Sequence, residues 1–328
     1  MFKGRILSGM RPTGSLHIGH LSVLENWVRL QKEYECFFTI VDWHALTTGF
    51  TETESIPVNI HEIALDWLSV GIDPEKSCVF VQSHVKQHAE LHLLFSMITP
   101  LSWLERCPTY KDQIQQLSAE GKDIATYGFL GYPLLQAADI LIYKADTVPV
   151  GEDQLPHVEL CREVARRFNY LYKKEVFPEP KAALAKIALL PGLDKRKMSK
   201  SYNNYIAINE PKEALQEKVK QMFTDPNRIH KTDPGNPEGC VVNTYHGIYS
   251  KDEAADIQKS CKQGTIGCVA CKKKLAGQME TALEPYRDKR NYYEQRPELI
   301  KEILQAGKER AAAKAEATLQ EVREAMCL

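Results

Sequence analysis

Arg5-Ile6-Leu7-Ser8-Gly9-Met10-Arg11-Pro12-Thr13-Gly14-Ser15-Leu16-His17-Ile18-Gly19-His20, followed at once by the amphipathic run Leu21 to Leu30, reads as a strand, a glycine-punctuated turn and a helix. Gly9, Gly14 and Gly19 let the backbone approach a ligand closely, and a helix opening near Ser15 aims its unpaired N–H groups at an anion above the turn. That combination describes a phosphate site. His17 and His20 lie three residues apart and share one face of a helix, where neutral imidazoles hydrogen-bond to phosphate or ribose oxygens without adding a fixed charge.

Working outward, the chain repeats the same unit. Cys36 to Val41 is an apolar run suited to a buried parallel strand and ends at Asp42-Trp43-His44. Thr51-Glu52-Thr53-Glu54 has a capping-box pattern that predicts a helix running to Gly71, and Cys78 to Gln82 forms the next strand. Helices are expected through Leu91–Met97, Leu134–Tyr143 and Glu152–Phe168, with a fourth short strand at Thr147–Val150. Repeated βα units of this size predict an α/β fold, a Rossmann-like doubly wound parallel sheet with ligands at the carboxyl ends of its strands. His17, Asp42, Gln82 and Gly151 fall at such ends.

Beyond Ser201 the pattern is helical throughout: Pro211–Phe223, Lys251–Cys261, Lys272–Tyr286 and Pro297–Met326, with no strand candidate longer than Val241-Val242. Two domains are therefore expected, 1–202 and 203–328, the second all-helical. The last helix carries Leu299, Ile300, Ile303, Leu304 and Ala311 on one stripe, with Gly307 on the same side as a weak point, and reads as a solvent-facing amphipathic helix.

The chain has 328 residues, 43% of them hydrophobic, which suffices for two cores. Its net charge of −1 supplies no bulk positive field, so any nucleic-acid contact must be local. No apolar stretch is long enough for a membrane span, the nearest approach, Phe129 to Tyr143, being interrupted by Pro133 and Asp139. Met1-Phe2-Lys3-Gly4-Arg5 has no apolar signal core behind it, and a cytoplasmic location is expected. Nine cysteines without a secretion signal favour reduced thiols or metal ligands over disulfides. Cys36, Cys78, Cys107, Cys161 and Cys327 stand alone and read as core fillers.

A second basic motif, Lys197-Met198-Ser199-Lys200-Ser201, lies far along the chain. Taken with His17-Ile18-Gly19-His20, it resembles the paired HIGH and KMSKS signatures of class I aminoacyl-tRNA synthetases, both present in full. A third feature is one carboxylate, Asp139, inside the apolar segment Tyr132 to Ile142. An unpaired buried charge costs several kcal/mol, so Asp139 needs a cationic or ligand partner. The segment resembles the amino-acid pocket of tryptophanyl-tRNA synthetases, where such an aspartate accepts the indole N–H.

The resemblance extends over the whole chain and implies the following. Arg11, Pro12, Thr13, Gly19, His20, Gly151, Glu152, Asp153 and Lys197 to Ser201 hold ATP. Leu7, Tyr132, Gln136, Asp139, Val148 and Gln154 hold tryptophan. His17, His20, Lys197 and Lys200 carry catalysis, the lysines on a mobile loop with Gly192 as its hinge. Arg11 stands where glutamine is frequent in that family, and Gln136 where methionine is frequent. Tryptophan's carboxylate attacks the α-phosphorus of ATP, pyrophosphate leaves with Mg2+ assisting, and the terminal ribose of tRNA(Trp) displaces AMP. No protein nucleophile is required; positioning and charge stabilisation do the work. A homodimer is expected, acting on neither DNA nor membranes, with the helical domain reading the anticodon. The other readings are a tyrosyl-specific synthetase, a simple nucleotidyltransferase and a non-catalytic tRNA-binding relative.

Cys240, Cys261, Cys268 and Cys271 follow a C-x20-C-x6-C-x2-C spacing, with Gly264-Thr265-Ile266-Gly267 as a flexible turn. Four thiolates at one point call for a soft cation, and spacing alone favours Zn2+. The arrangement also resembles a subset of bacterial tryptophanyl-tRNA synthetases with a [4Fe-4S] cluster in the anticodon-binding domain, which places that cluster ahead of zinc.

Overall fold

In the computed structural model, which describes residues 2–108, 110, 111, 114, 124–184 and 190–328, five parallel strands lie in the order β3-β2-β1-β4-β5. They are β1 (Arg5–Met10), β2 (Glu35–Ile40), β3 (Ser77–Val81), β4 (Thr147–Val150) and β5 (Lys181–Leu184). The sequence turns back at β1, which pairs with β2 on one side and β4 on the other, the switch point at which doubly wound sheets bind ligands. Strand β3 is buried at every position, as expected for a parallel strand covered on both faces. β5 escaped the sequence reading: Lys-Ala-Ala-Leu has little β-propensity, and it forms a strand at the edge of a ready-made template.

The helices are α1 (Leu21–Leu30), α2 (Asp42–Gly49), α3 (Ile56–Val70), α4 (Gln87–Ser96), α5 (Leu101–Glu105), α6 (Tyr127–Ile142), α7 (Leu155–Tyr172), α8 (Lys212–Gln221), α9 (Val241–Tyr249), α10 (Ala254–Lys262), α11 (Cys268–Glu294) and α12 (Pro297–Met326). Three local expectations need correction. The capping-box pattern at Thr51 does not open α3. The helix begins five residues later, with Pro57 in its first turn, where a fixed φ helps and a missing N–H costs nothing, and it ends on Gly71 at φ 116°. Asp42-Trp43-His44, at which the strand is expected to end, forms the first turn of α2. Val241-Val242 is helical, and α11 runs well beyond the expected Lys272–Tyr286.

Packing groups the chain into two compact units rather than cutting it once at 202/203. One comprises residues 1–14, 25–186 and 296–328; the other comprises 15–24 and 187–295. The first is the sheet and its helices, and it includes α12. Ala311, Ala315, Leu319 and Val322 of α12 are fully buried in the same cluster as Phe80, Leu91 and Tyr143, so the helix is a core element and not a solvent-facing one. Gly307 is its contact point. A Cβ there would sit 1.8 Å from the Val79 carbonyl oxygen, and the Cys78 thiol donates to the Gly307 carbonyl at 3.0 Å. The run of small residues lets the helix backbone lie against edge strand β3, a role that a hydropathy stripe does not reveal.

The second unit is helical, with Leu215, Val219, Val241, Tyr245, Leu275, Met279 and Leu283 forming its core. The Glu210 carboxylate accepts from Lys218, and the Glu210 carbonyl from Arg287 at 3.1 Å. No helix among the described residues is long and apolar enough to cross a membrane.

Candidate active site

In the helical unit, the residue 15–20 turn is held by backbone pairing to the segment just past the lysine loop. Ile18 N–H donates to the Ile206 carbonyl at 2.9 Å and Ile208 N–H to the Leu16 carbonyl at 3.1 Å, with an antiparallel bridge between His17 and Ala207. The turn itself is a single 3-10 turn, Ile18–His20, leading into α1. The His17 ring nitrogen Nδ1 accepts from Gly19 N–H at 3.2 Å, and the two imidazoles stand 3.9 Å apart, tilted by 41°. Gly19 is required by this closeness: a Cβ would lie 2.9 Å from the His17 ring, with the Met198 sulfur next at 3.7 Å.

The electrostatics match the arrangement. Burial lowers the His17 pKa to about 3, helped by the neighbouring His20 and by Lys200 and Lys197. Burial likewise lowers His20 to about 4, against the opposing pull of its hydrogen bond to the His17 backbone. Both rings are therefore neutral at pH 7, with Lys200 near enough to be felt by both and Lys197 by His17.

Lys197 to Ser201 sits on a loop with a distinct internal frame. Gly192 N–H donates to the Arg196 carbonyl at 2.7 Å, and Lys195 and Asn203 take positive φ, 74° and 49°. Asn204 holds the frame together. Its buried amide donates to Asp194 at 2.7 Å and to the Lys197 carbonyl at 3.2 Å, and accepts from Ser199 N–H at 2.8 Å. Gly192 is less a hinge than a clearance, since a Cβ there would be 2.2 Å from the Asn204 amide nitrogen. Nothing in the sequence marks Asn204 as the centre of a loop until its three partners are in place. Lys197 and Ser201 are exposed, Ser199 and Lys200 half-buried and Met198 buried. Lys195 and Arg196 lie over the rings of Phe223 and Tyr202, at 4.5 and 4.4 Å.

In the sheet unit, Asp139 is buried on α6 and has no arginine or lysine partner among the described residues. Its Oδ2 accepts from His44 Nε2 at 2.9 Å and its Oδ1 from His88 Nδ1 at 2.6 Å, while Gln82 Nε2 bridges both oxygens at 2.8 and 2.9 Å. Burial opposes ionisation, yet the hydrogen bonds from His44 and His88 outweigh it and hold the carboxyl far below the usual carboxylate range. His44 follows the carboxyl end of β2, and Gln82 and His88 follow that of β3, His88 on α4, so donors from two consecutive βα units converge on one carboxylate. Sequence reasoning put Gln82 and the Asp42-Trp43-His44 turn at strand ends but missed His44 and His88 as donors.

The remaining expected residues occupy the same unit. Leu7 and Val148 are in the core, Gln136 is half-buried, and the Tyr132 hydroxyl lies 3.0 Å from His157 Nε2. Gly151 precedes a 3-10 turn, Glu152–Gln154, at the carboxyl end of β4; Glu152 and Asp153 are exposed and Gln154 donates to Asp153 at 2.7 Å. Arg11 is exposed, 3.5 Å from the Thr48 hydroxyl; Pro12 is buried and Thr13 exposed, ahead of Gly14 at φ 95°.

The four cysteines gather in the helical unit without closing on one point. Arg228 Nη1 lies 3.8 Å from the Cys261 sulfur and 3.9 Å from that of Cys268, and Cys271 Sγ is 3.4 Å from His246 Nε2. Burial pushes the Cys271 thiol up to about 12, reinforced by its neighbours Cys240, Cys261 and Cys268. Among the described residues, no set of three or more His, Cys, Asp or Glu side chains is arranged to hold a metal ion as it stands.

Comparison with known proteins follows these features. Residues 3–284 match the family of class I tRNA synthetases (W and Y), and the chain belongs to that family. Within it, the chain is 51% identical to the tryptophan–tRNA ligase of Thermotoga maritima over 99% of both proteins, and 45% identical to that of Aquifex aeolicus over 99% of this chain and all of that one. A crystal structure of the Campylobacter jejuni tryptophanyl-tRNA synthetase complexed with ADP and tryptophan superposes with a TM-score of 0.89 at 33% identity, covering 99% of this chain and 100% of that chain.

Proposed function

We infer that this chain is a tryptophan–tRNA ligase, which activates L-tryptophan with ATP to tryptophanyl-adenylate and transfers it to the 3′ end of tRNA(Trp). The observation that carries the reading is the full-length likeness to ligases of that specificity in a chain that retains both signature segments and a buried, ionised Asp139. Neutral His17 and His20, the turn N–H groups, Lys197 and Lys200 bind the phosphates and meet the charge that develops as pyrophosphate leaves. Met198, Ser199 and Ser201 shape that loop. Arg11, Pro12, Thr13, Gly151, Glu152 and Asp153 contact ATP, Asp153 accepting from ribose hydroxyls. Leu7, Tyr132, Gln136 and Val148 enclose the indole, Asp139 accepts its N–H, and Gln154 reaches the amino group. Mg2+ supplies further charge neutralisation on the phosphates when bound.

The enzyme works in the cytoplasm as a homodimer, with the sheet and the two signature segments serving catalysis and the helices between residues 203 and 295 reading the anticodon. Amino-acid-dependent exchange of pyrophosphate into ATP tests the assignment: exchange driven by tryptophan and not by tyrosine supports it, and exchange driven by tyrosine overturns it in favour of the tyrosyl-specific reading.

Cys240, Cys261, Cys268 and Cys271 hold a [4Fe-4S] cluster in a structural role, with Zn2+ the second choice. In support, the four thiols gather in one unit, those of Cys261 and Cys268 beside the Arg228 guanidinium, a donor set whose chemistry suits a soft cationic centre. Anaerobically purified protein is then brown, with absorbance near ~400 nm that Cys268→Ser abolishes. A colourless preparation with stoichiometric zinc decides for zinc, and one with no metal rejects both.

A further inference from the structure

Asp139 has no vacancy. Each of its oxygens already accepts two hydrogen bonds, from His44 and Gln82 on one side and His88 and Gln82 on the other. A substrate N–H reaches this carboxylate only if one of the three donors yields.

The three are not equally replaceable. Gln82 is fully buried and fixed from behind, its Oε1 accepting from Trp43 N–H at 3.1 Å, which also sets the amide orientation. His88 is fully buried, and its Nε2 accepts from the Tyr143 hydroxyl at 2.7 Å. Burial lifts the Tyr143 pKa well above its ordinary value, so the phenol keeps the proton it donates. His44 differs on both counts. Its side chain is 10% exposed, the most open of the three, and its Nδ1 has no hydrogen-bond partner among the described residues. It also sits in the first turn of a short helix whose N-cap makes no side-chain hydrogen bond.

We propose that tryptophan binds by exchange: its ring N–H takes the place on Asp139 Oδ2 that His44 Nε2–H holds in the free chain. His44 is therefore a positioning residue that stands in for the substrate, and the Tyr143–His88–Asp139 chain with Gln82 is the fixed frame that keeps the carboxylate aimed. The inference rests on the tryptophan reading of the site. One hydrogen bond to a carboxylate is broken as another forms, so the exchange is near balance and the buried charge is satisfied both with and without ligand. The competition weakens binding by the population of the closed state, which favours release of indole-bearing product.

The test uses the full chain labelled with 15N in its histidine rings. The low-field ring N–H signals of His44 and His88 are assigned by their loss in His44→Asn and His88→Asn. Saturation with tryptophan, followed by calorimetry, should eliminate the His44 signal and leave that of His88. A saturating analogue with sulfur in place of the ring N–H should leave both. Survival of the His44 signal with tryptophan bound overturns the exchange, as does its loss with both ligands, which indicates steric eviction, or loss of the His88 signal in its stead. No heat with tryptophan overturns the functional reading itself, and the exchange with it.

Discussion

On the proposed reading, His17 and His20 donate to phosphate as neutral imidazoles, without adding a fixed charge. If so, replacing His17 or Lys200 by alanine would remove a donor preorganised for the leaving group and should lower tryptophan-dependent pyrophosphate exchange by ~10²-fold or more, with the far-ultraviolet dichroism unchanged. The depressed pKa values also have a signed consequence for stability. The unfolded chain takes up protons on these rings below their ordinary value of 6.5, whereas the folded chain resists until about 3 for His17 and about 4 for His20. Stability is fully present above about pH 6.5 and falls as pH drops through that window. Urea midpoints at pH 7 and pH 5 should therefore differ less in a His17→Asn/His20→Asn variant than in the parent.

At the scale of elements, loops and helices here are set by single contacts that composition does not announce. Asn204→Ala unties three hydrogen bonds at once, leaving the Ser199 N–H and the Lys197 carbonyl to find other partners. The variant should lose roughly tenfold in pyrophosphate exchange, as expected when a loop loses about 1–2 kcal/mol of ordering, while its Kd for tryptophan, measured by calorimetry, stays within twofold. Gly307→Ala tests the helix–strand contact. In a solvent-facing helix that change would stabilise by up to ~1 kcal/mol. Against the Val79 carbonyl it should instead destabilise by about 1–3 kcal/mol, seen as a lower Tm.

These cases show what the sequence made legible. The βα alternation, the glycine turn and the odd carboxylate in an apolar helix are local patterns, and all three reappear in the folded chain. Asn204 depends on partners in its own loop, whose fold no local pattern announces, while His44, His88 and the seating of α12 depend on partners 51 to 229 residues away, as with the Gly307 carbonyl and the Cys78 thiol. No short window of sequence contains both members of these distant pairs. β5 was missed for the same reason, its strand character coming from β4 rather than from Lys-Ala-Ala-Leu itself.

Taken whole, the molecule is not a catalytic half followed by a detachable helical half. The sheet unit takes in residues 296–328, and the helical unit takes in residues 15–24. A chain cut after residue 202 would lose the Ile206 and Ile208 pairing that seats the His17 turn, and with it the helix that buries Ala311 and Leu319. Such a truncation should show no cooperative thermal transition, rather than a folded enzyme deficient only in tRNA charging. A cooperative melt at the parental Tm would contradict this.

The late arrival of α12 also gives the fold a direction in time. Strand β3 is complete when the ribosome has passed Val81, but the helix whose Gly307 backbone covers its edge emerges about 230 residues later, roughly 10–50 s at bacterial elongation rates of about 5–20 residues per second. Through that interval the nascent sheet carries an uncovered apolar edge, the feature that holdase chaperones bind and that drives strand-to-strand aggregation between polysomes. Completion of β3 therefore does not by itself protect its edge, which is covered only once α12 has emerged and folded against it.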